Sequence, residues 1–124
     1  MKTSKYEELR LHYKIWFTDK DENGILGDGK YKILKAIDES GSLMSACEKL
    51  GLTYRRTWND LKSIEKRLGF PLLEKTRGGA DGGSTILTPE GKKLIRAFDN
   101  FHENMDEIIQ HHFELLKQQL LSDE

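Results

Sequence analysis

Residues 42–69, SLMSACEKLGLTYRRTWNDLKSIEKRLG, decide the fold of this 124-residue chain. Ser42 can cap a short helix that ends at Gly51. That helix is expected to turn four residues inward: Leu43, Ala46, Cys47 and Leu50. Thr53 can cap a longer helix that runs to about Leu68. A short helix, a tight turn and a longer helix predict a helix-turn-helix whose second helix protrudes.

The outer face of this longer helix carries residue types that bind DNA. Arg55 and Arg56 lie in its first turn, where a cation near the positive end of the helix dipole typically destabilises the helix by ~0.3–1 kcal/mol. A bound external anion should offset this unfavourable interaction. DNA phosphate or a guanine edge would do so, and Asn59 could bond adenine. The predicted DNA-binding residues of the helix are Thr53, Tyr54, Arg55, Arg56, Thr57, Asn59 and Lys62. Trp58 is expected in the core and Tyr54 could equally be core, while a solvated helix face is the alternative interpretation of the set.

Two short strand candidates follow, at residues 71–77 and 85–87, and they flank a glycine-rich segment at residues 78–84. This pattern predicts a hairpin. Its tip could be a wing that contacts the DNA backbone, or only a flexible turn. The basic residues beside the tip, Lys75 and Arg77, favour a wing and complete the predicted DNA-binding set.

The N-terminal part predicts a hairpin followed by a helix. Residues 11–17 alternate roughly and are rich in aromatic and β-branched types, so they predict a strand that ends at a polar turn over residues 19–24. Ile25 starts the expected returning strand, and Asp28 is a plausible N-cap for the first helix, which ends at Gly41. The turn matches the first half of a calcium-binding EF-hand loop, but a lysine stands where the final glutamate belongs, so a simple polar turn explains it better.

A long helix is predicted after Thr88 and Pro89, which supply an N-cap and a first-turn proline. It runs to about Leu121 and carries a stripe of residues at alternating intervals of four and three. The stripe consists of Leu94, Phe98, Phe101, Met105, Ile108, His112 and Leu115. Because a stripe that long requires a partner, we expect dimerisation through residues 88–124 and DNA binding through residues 1–87.

The formal net charge is −1, but the charges are unevenly distributed. Residues 53–77 carry seven basic and three acidic side chains, a local charge of +4, whereas residues 97–124 carry one basic and seven acidic side chains, a local charge of −6. This asymmetry predicts a basic working surface and a tail kept away from DNA. Cys47 is the one cysteine, and neither a signal peptide nor ~20 consecutive apolar residues is present, so we expect a cytoplasmic protein without a membrane partner.

The sequence contains no nucleophile with a suitably spaced base and no convergent pair of carboxylates, so an enzyme is not expected. It predicts no cofactor and no metal site. His111 and His112 are adjacent on the predicted long helix, where their side chains point about 100° apart and cannot readily share one ion.

Several of these motifs resemble a known family. The likeness is carried by KIW (14–16), LGDGK (26–30), GSL (41–43), LTYRRTW (52–58), GFPLLE (69–74), GG (78–79 and 82–83) and LTPEG (87–91). Over about residues 13–96 the chain resembles the N-terminal DNA-binding domain of ModE-type molybdate-responsive regulators, which are related to the LysR-type helix-turn-helix proteins. The resemblance implies a winged helix-turn-helix, a mainly α fold with small β hairpins (α+β), and a long C-terminal dimerisation helix.

The resemblance also implies a function. The residues carried over as DNA-binding are Tyr54, Arg55, Arg56, Thr57, Asn59, Lys75 and Arg77. The expected protein is a sequence-specific double-stranded DNA-binding transcriptional regulator that acts as a homodimer on a palindromic operator. The alternative is a protein-interaction module that has a winged-helix fold and does not bind DNA. Since the chain ends after the long helix, without the oxyanion-binding domain of full-length regulators, the resemblance does not extend to molybdate sensing and indicates no effector.

Overall fold

The computed structural model of the protein describes residues 5–77 and 84–122. A short 3₁₀ helix, Lys5–Glu8, precedes the regular elements of these residues, which are β1 (Trp16–Thr18), β2 (Gly24–Gly27), α1 (Asp28–Ser40), α2 (Leu43–Leu50), α3 (Tyr54–Leu68), β3 (Leu73–Lys75), β4 (Thr85–Leu87) and α4 (Pro89–Leu121). This order confirms the predicted fold class, a mainly helical α+β winged helix-turn-helix with two small antiparallel hairpins and a long C-terminal helix.

The N-terminal hairpin is shorter than the sequence predicts. β1 pairs antiparallel with β2 from Trp16 onward, whereas residues 9–15 form no strand. The predicted strand over residues 11–17 is therefore wrong except at its last two positions. The physical reason is a tertiary contact: the segment before β1 lies along α4, where the Tyr13 ring stacks on His102 with 6.0 Å between the ring centroids.

The polar turn between β1 and β2 is held by Asp19. Its Oδ1 accepts hydrogen bonds from the backbone N–H groups of Asp21 (2.8 Å) and Asn23 (2.9 Å), and its Oδ2 accepts one from the Asn23 side chain (3.2 Å). The backbone hydrogen bond from Asn23 is the main reason why the pKa of Asp19 lies below its ordinary value. The turn's own donors therefore engage the carboxylate, as expected of a polar hairpin turn.

Helix α1 supplies the centre of the core. Its N-cap position is occupied by Gly27, in an extended conformation, so the predicted N-cap at Asp28 is wrong by one residue. A Cβ at Gly27 would lie 2.8 Å from the Cβ of Trp16, because the N-terminal hairpin closes tightly against this residue. The largest fully buried side chains come from α1, α2, α3 and the segment before β3: Leu34, Ile37, Leu43, Leu61 and Leu72.

The helix-turn-helix of α2 and α3 follows the sequence prediction closely. Ser42 caps α2, because its Oγ accepts a hydrogen bond from the Ser45 N–H at 3.1 Å. Gly51 follows α2 in the left-handed region, at φ +68°, where a residue with a Cβ loses ~1–2 kcal/mol. The N–H of Leu52 then donates to the Cys47 carbonyl at 2.9 Å, which closes a Schellman turn between the two helices.

The inward face of α2 is one residue smaller than predicted. Leu43, Ala46 and Cys47 are buried, whereas Leu50 is 36% exposed. Leu50 is the last residue of α2, at the edge of the core, and no further helical turn covers it. The predicted inward position of Leu50 is therefore wrong.

The second hairpin joins α3 to α4. β3 and β4 pair antiparallel, with Leu73 opposite Leu87 and Lys75 opposite Thr85. Both predicted strands are present, the first of them shortened to three residues. The predicted glycine-rich tip falls largely on residues 78–83, which lie outside the described residues.

Helix α4 begins where the sequence predicts. The Oγ1 of Thr88 accepts a hydrogen bond from the Gly91 N–H (3.0 Å) and donates one to the Pro71 carbonyl (2.8 Å). The Thr88 N–H donates to the Leu72 carbonyl at 2.9 Å. A Cβ on Gly91 would lie 2.8 Å from the same Leu72 oxygen, so the close approach of α4 to this backbone requires a glycine.

Candidate DNA-binding surface

The first turn of α3 presents two arginines to solvent. Arg55 and Arg56 are exposed, and neither guanidinium is paired with a carboxylate among the residues that the structure describes. Thr53 occupies the N-cap position, but its side chain accepts no capping hydrogen bond. The positive end of α3 is therefore neither capped by a side chain nor neutralised by an acid, an arrangement that favours an external anion.

Thr57 lies on the inner face of α3, together with Leu61 and Ile64. Its side chain is buried, with 4% exposure, and its hydroxyl donates to the Thr53 carbonyl at 2.9 Å. The structure therefore contradicts the predicted contact of Thr57 with DNA, because this residue belongs to the inner face of the helix. Thr53 itself is exposed and stays among the candidates.

Tyr54 and Trp58 form a stacked aromatic pair, with 6.5 Å between ring centroids and 10° between ring planes. Trp58 packs against the core as predicted, whereas Tyr54 is 37% exposed and places its Oη 3.5 Å from the Oγ1 of Thr85 in β4. The ammonium groups of Lys62 and Lys75 lie over the Trp58 ring, 4.5 and 5.5 Å from its centroid. One ring therefore connects a lysine of α3 with a lysine of β3.

A shallow groove separates the N-terminal half of α3 from β3. Its lining consists of Tyr54, Arg55, Trp58, Asn59 and Lys75. Asn59 is exposed in this groove, and Arg77 is exposed just beyond β3. The fold thus brings together candidates that are separated in sequence, from the outer face of α3 and from the root of the wing.

Glu65 is a residue of this surface that sequence reasoning did not assign. Its Oε2 accepts hydrogen bonds from the backbone N–H groups of Leu72 (2.7 Å) and Leu73 (2.8 Å), and its Oε1 lies 3.0 Å from the Nζ of Lys62. Ile64 is buried and the neighbouring Glu65 side chain is only 10% exposed. The sequence gives no signal for the bonds of Glu65 to Leu72 and Leu73, because these partners lie beyond the end of the helix.

Other charged residues of α3 hold the fold together. Arg67 donates from Nη1 to the Gly24 carbonyl at 2.5 Å and so ties the end of α3 to the N-terminal hairpin. Lys30 lies 3.2 Å from a carboxylate oxygen of Asp60 and joins α1 to α3. Some charged side chains of residues 53–77 therefore have partners within the chain. Arg55 and Arg56, by contrast, have no carboxylate partner among the described residues.

Comparison with known proteins identifies the family. Residues 29–92, which comprise the helix-turn-helix together with most of α1, the second hairpin and the start of α4, match the bacterial regulatory helix-turn-helix proteins of the lysR family. The chain belongs to this family.

Individual relatives of this lysR-family chain include a molybdenum-pterin-binding protein and two ModE regulators. The molybdenum-pterin-binding protein MopB of Rhodobacter capsulatus is 34% identical over 73 residues, which are 59% of this chain and 27% of MopB. The transcriptional regulator ModE of Haemophilus influenzae is 32% identical over 87 residues, which are 69% of this chain and 34% of that protein. The DNA-binding transcriptional dual regulator ModE of Escherichia coli K12 is 30% identical over 90 residues (72% and 34%). The chain spans about a third of the length of these relatives.

These similarities confirm the predicted resemblance to a ModE-type winged helix-turn-helix domain. The family and the two ModE proteins are described as regulators. That description agrees with the prediction that the chain is not an enzyme.

The predicted dimerisation stripe of α4 divides into two parts in this lysR-family chain. Phe98 is 2% exposed, and its ring centroid lies 5.0 Å from that of Tyr31 and 5.7 Å from that of Phe17. Leu94 packs against the same core. The structure therefore contradicts the predicted place of Phe98 in a dimer interface, because the first turns of α4 cover the core of their own chain.

Farther along α4 the same stripe is open within the part of the chain that the structure describes. Phe101, Ile108 and Leu115 are 42%, 52% and 44% exposed. His112 is exposed as well, and Met105 is partly covered, in a groove that it shares with the segment before β1. These five residues remain candidates for contact with a partner.

The covered part of α4 is joined to α1 through Asp99. Tyr31 donates its hydroxyl to one carboxylate oxygen, and the Nζ of Lys35 lies 3.2 Å from the other. Burial and this hydrogen bond raise the pKa of Tyr31 to about 12. Burial alone would raise the pKa of Asp99, but the bonds from Tyr31 and Lys35 outweigh it and leave that pKa below its ordinary value.

Within residues 5–77 and 84–122, no group of three or more His, Cys, Asp or Glu side chains could hold a metal ion. Within the same ranges, every helix is too short or too polar to cross a membrane.

Proposed function

We propose that this chain is a sequence-specific, double-stranded DNA-binding transcriptional regulator that works in the cytoplasm as a homodimer on a palindromic operator. The observation that carries the proposal is the pair Arg55 and Arg56, exposed and unpaired by described residues, at the uncapped positive end of a protruding helix. Membership of the lysR family and similarity to proteins named as DNA-binding regulators support it.

In this proposal the first turns of α3 enter the major groove. The guanidinium groups of Arg55 and Arg56 reach phosphates or guanine edges, since arginine can bond guanine bidentately. The exposed amide of Asn59 is suited to adenine. Lys75 and Arg77, at the root of the wing, bind the phosphate backbone beside the groove, and such contacts position a protein on DNA without reading its sequence.

A homodimer is supported by the open part of the α4 stripe. Phe101, Ile108 and Leu115 are large apolar side chains exposed on one helix, and contiguous exposed apolar surface marks interaction sites. Two copies related by a two-fold axis would read two half-sites about one helical turn (~34 Å) apart. Residues 88–124 would then serve dimerisation and residues 1–87 DNA binding, as the sequence predicts.

No effector forms part of the proposal. The similarity to MopB, which is named for binding molybdenum-pterin, covers 27% of that protein. The proposal is therefore confined to DNA binding and dimerisation.

The test is the salt dependence of binding to a fluorescein-labelled mixed-sequence duplex, measured by anisotropy for the wild type and for Arg55→Ala/Arg56→Ala. Each lost phosphate contact should lower the slope of log K against log salt by ~0.9, so the double variant should lose up to about 2 in slope. If an arginine contacts a base, its replacement by alanine should instead weaken the binding free energy by ~1–3 kcal/mol. The base preference at one operator position should then be relaxed among the duplexes selected from a random pool.

A charge-matched control separates this surface from a general loss of positive charge. Lys14→Ala/Lys20→Ala also removes two exposed cations, but from the N-terminal segment and the β1–β2 turn, and it should leave affinity and slope nearly unchanged. Equal losses in the two double variants would show that α3 is not the binding helix. No binding by the wild type at low salt would reject the proposal and favour the interaction-module alternative.

A further inference from the structure

The carboxylate of Glu65 holds the start of the wing strand. It accepts hydrogen bonds from two consecutive backbone N–H groups, those of Leu72 and Leu73, at 2.7 and 2.8 Å. Hydrogen bonds to a charged acceptor are roughly twice as strong as neutral ones. Because two adjacent donors point at one oxygen, the carboxylate fixes both the position and the direction of the chain where β3 begins.

The same point of the chain is held from its other side by α4. The side chain of Leu72 is fully buried, and its carbonyl accepts a hydrogen bond from the Thr88 N–H at 2.9 Å. The wing root is thus clamped between α3 and α4. Of these two attachments, the one made by the Glu65 side chain bonds the start of β3 directly to α3.

The wing strand also carries the basic residues proposed to bind phosphate. β3 ends at Lys75, whose ammonium lies over the Trp58 ring, and Arg77 follows two residues later. The second oxygen of Glu65 lies 3.0 Å from Lys62, which covers the same ring from 4.5 Å. Beside the ring contacts and the approach of Tyr54 to Thr85, the Glu65 carboxylate contributes the two hydrogen bonds that fix the backbone of β3 to α3.

We propose that Glu65 is a positioning residue for DNA binding, which sets the wing at the angle to α3 at which Arg77 and the α3 arginines reach DNA together. This inference rests on the proposed function. Glu65 itself is acidic and nearly buried, so its contribution runs through the wing and not through contact with DNA.

The perturbation is Glu65→Ala, which removes both acceptors. Glu65→Gln keeps the shape and one oxygen but loses the charge, and it serves as a milder variant if the alanine variant folds poorly. The control is Asp60→Asn, because Asp60 is a second carboxylate of α3, 42% exposed and bonded to Lys30 of α1 and not to the wing. Both Glu65→Gln and Asp60→Asn remove one negative charge, so a difference between them does not come from the change in net charge.

The decisive measurement is a pair of double-mutant cycles on DNA affinity. If Glu65 positions the wing, the factor by which Arg77→Ala weakens DNA binding should be at least threefold smaller in the Glu65→Ala background than in the wild type. The loss caused by Arg55→Ala/Arg56→Ala should be the same in both backgrounds. A variant that merely unfolds part of the protein lowers all affinities equally and leaves both cycles additive.

Amide hydrogen exchange without DNA checks the anchor independently. The amides of Leu72 and Leu73 should exchange at least tenfold faster in Glu65→Ala than in the wild type or in Asp60→Asn. Equal exchange rates, or additive cycles in a wild type that binds DNA, would overturn this inference and leave the proposed function intact. Failure of the wild type to bind DNA would instead overturn the proposed function itself.

Discussion

Replacement of Gly91 by alanine should destabilise the fold although it improves helix propensity. The added Cβ would lie 2.8 Å from the carbonyl oxygen of Leu72 and 3.5 Å from two carbons of Leu87. The oxygen belongs to the backbone and cannot rotate away. To restore an ordinary contact of about 3.4 Å, α4 must move by about 0.6 Å, and that movement stretches the 2.9 Å hydrogen bond from Thr88 to the same oxygen.

The size of the effect follows from two opposing terms. Overpacking in a tight core typically destabilises by ~1–3 kcal/mol, whereas alanine gains up to ~1 kcal/mol over glycine in a helix. The net expectation is a loss of about 1–2 kcal/mol in the free energy of unfolding. With a urea dependence of ~2 kcal/mol/M, the middle of the usual range, the midpoint of unfolding should fall by about 0.5–1 M.

The assay is urea unfolding followed by the helical circular dichroism signal, with Gly29→Ala as the matched control. Gly29 is also helical, but a Cβ there would meet no atom within 4 Å. This control should raise the midpoint slightly, because only the propensity gain remains. A Gly91→Ala midpoint equal to or above that of the wild type would refute the steric reasoning.

The remaining predictions concern the two halves of α4. The folded-state pKa of Tyr31 is about 12, against an ordinary value of 10.0. The stabilisation that the protonated Tyr31 gives the fold is therefore complete below pH 10 and is lost as the pH rises toward 12. Between about pH 8 and pH 11 the unfolding free energy of the wild type should fall by ~1.4 kcal/mol more than that of Tyr31→Phe, and equal falls in urea titrations would contradict this. Ile108→Asp/Leu115→Asp puts charges on the open stripe and should convert a homodimer to monomers in sedimentation equilibrium with its helical signal retained, whereas an unchanged mass would exclude this stripe as the interface.

The helix-turn-helix could be predicted almost to the residue because its limits are encoded locally. Ser42 supplies a capping oxygen within its own turn, and Gly51 and Gly69 occupy left-handed positions at the ends of α2 and α3. Such signals depend on residues that are neighbours in sequence. The outer position of Arg55 and Arg56 followed from the same helical period.

The failures occurred where a residue's surroundings come from distant parts of the chain. The segment before β1 has strand-like composition, but its Tyr13 ring stacks on α4, so tertiary packing overrode propensity. Thr57 is a different case: its residue type matches the outer face, but the helical period places it in line with buried Leu61, and its hydroxyl bonds the local Thr53 carbonyl. Glu65 gave no local signal, since its partners are backbone N–H groups beyond the end of α3.

The stripe of α4 explains why a regular period is not enough to assign an interface. The helical period of a sequence indicates which residues share a face, but it does not indicate what covers that face. Phe98 and Ile108 belong to the same alternating stripe, yet one is 2% and the other 52% exposed, because α1 and the N-terminal hairpin cover only the first turns of the helix. A stripe that is longer than the core therefore has two parts: its first residues pack within their own chain, and its later residues stay exposed and can contact a partner. It follows that Phe98→Ala would destabilise a single chain, whereas substitutions beyond Met105 should act mainly on association.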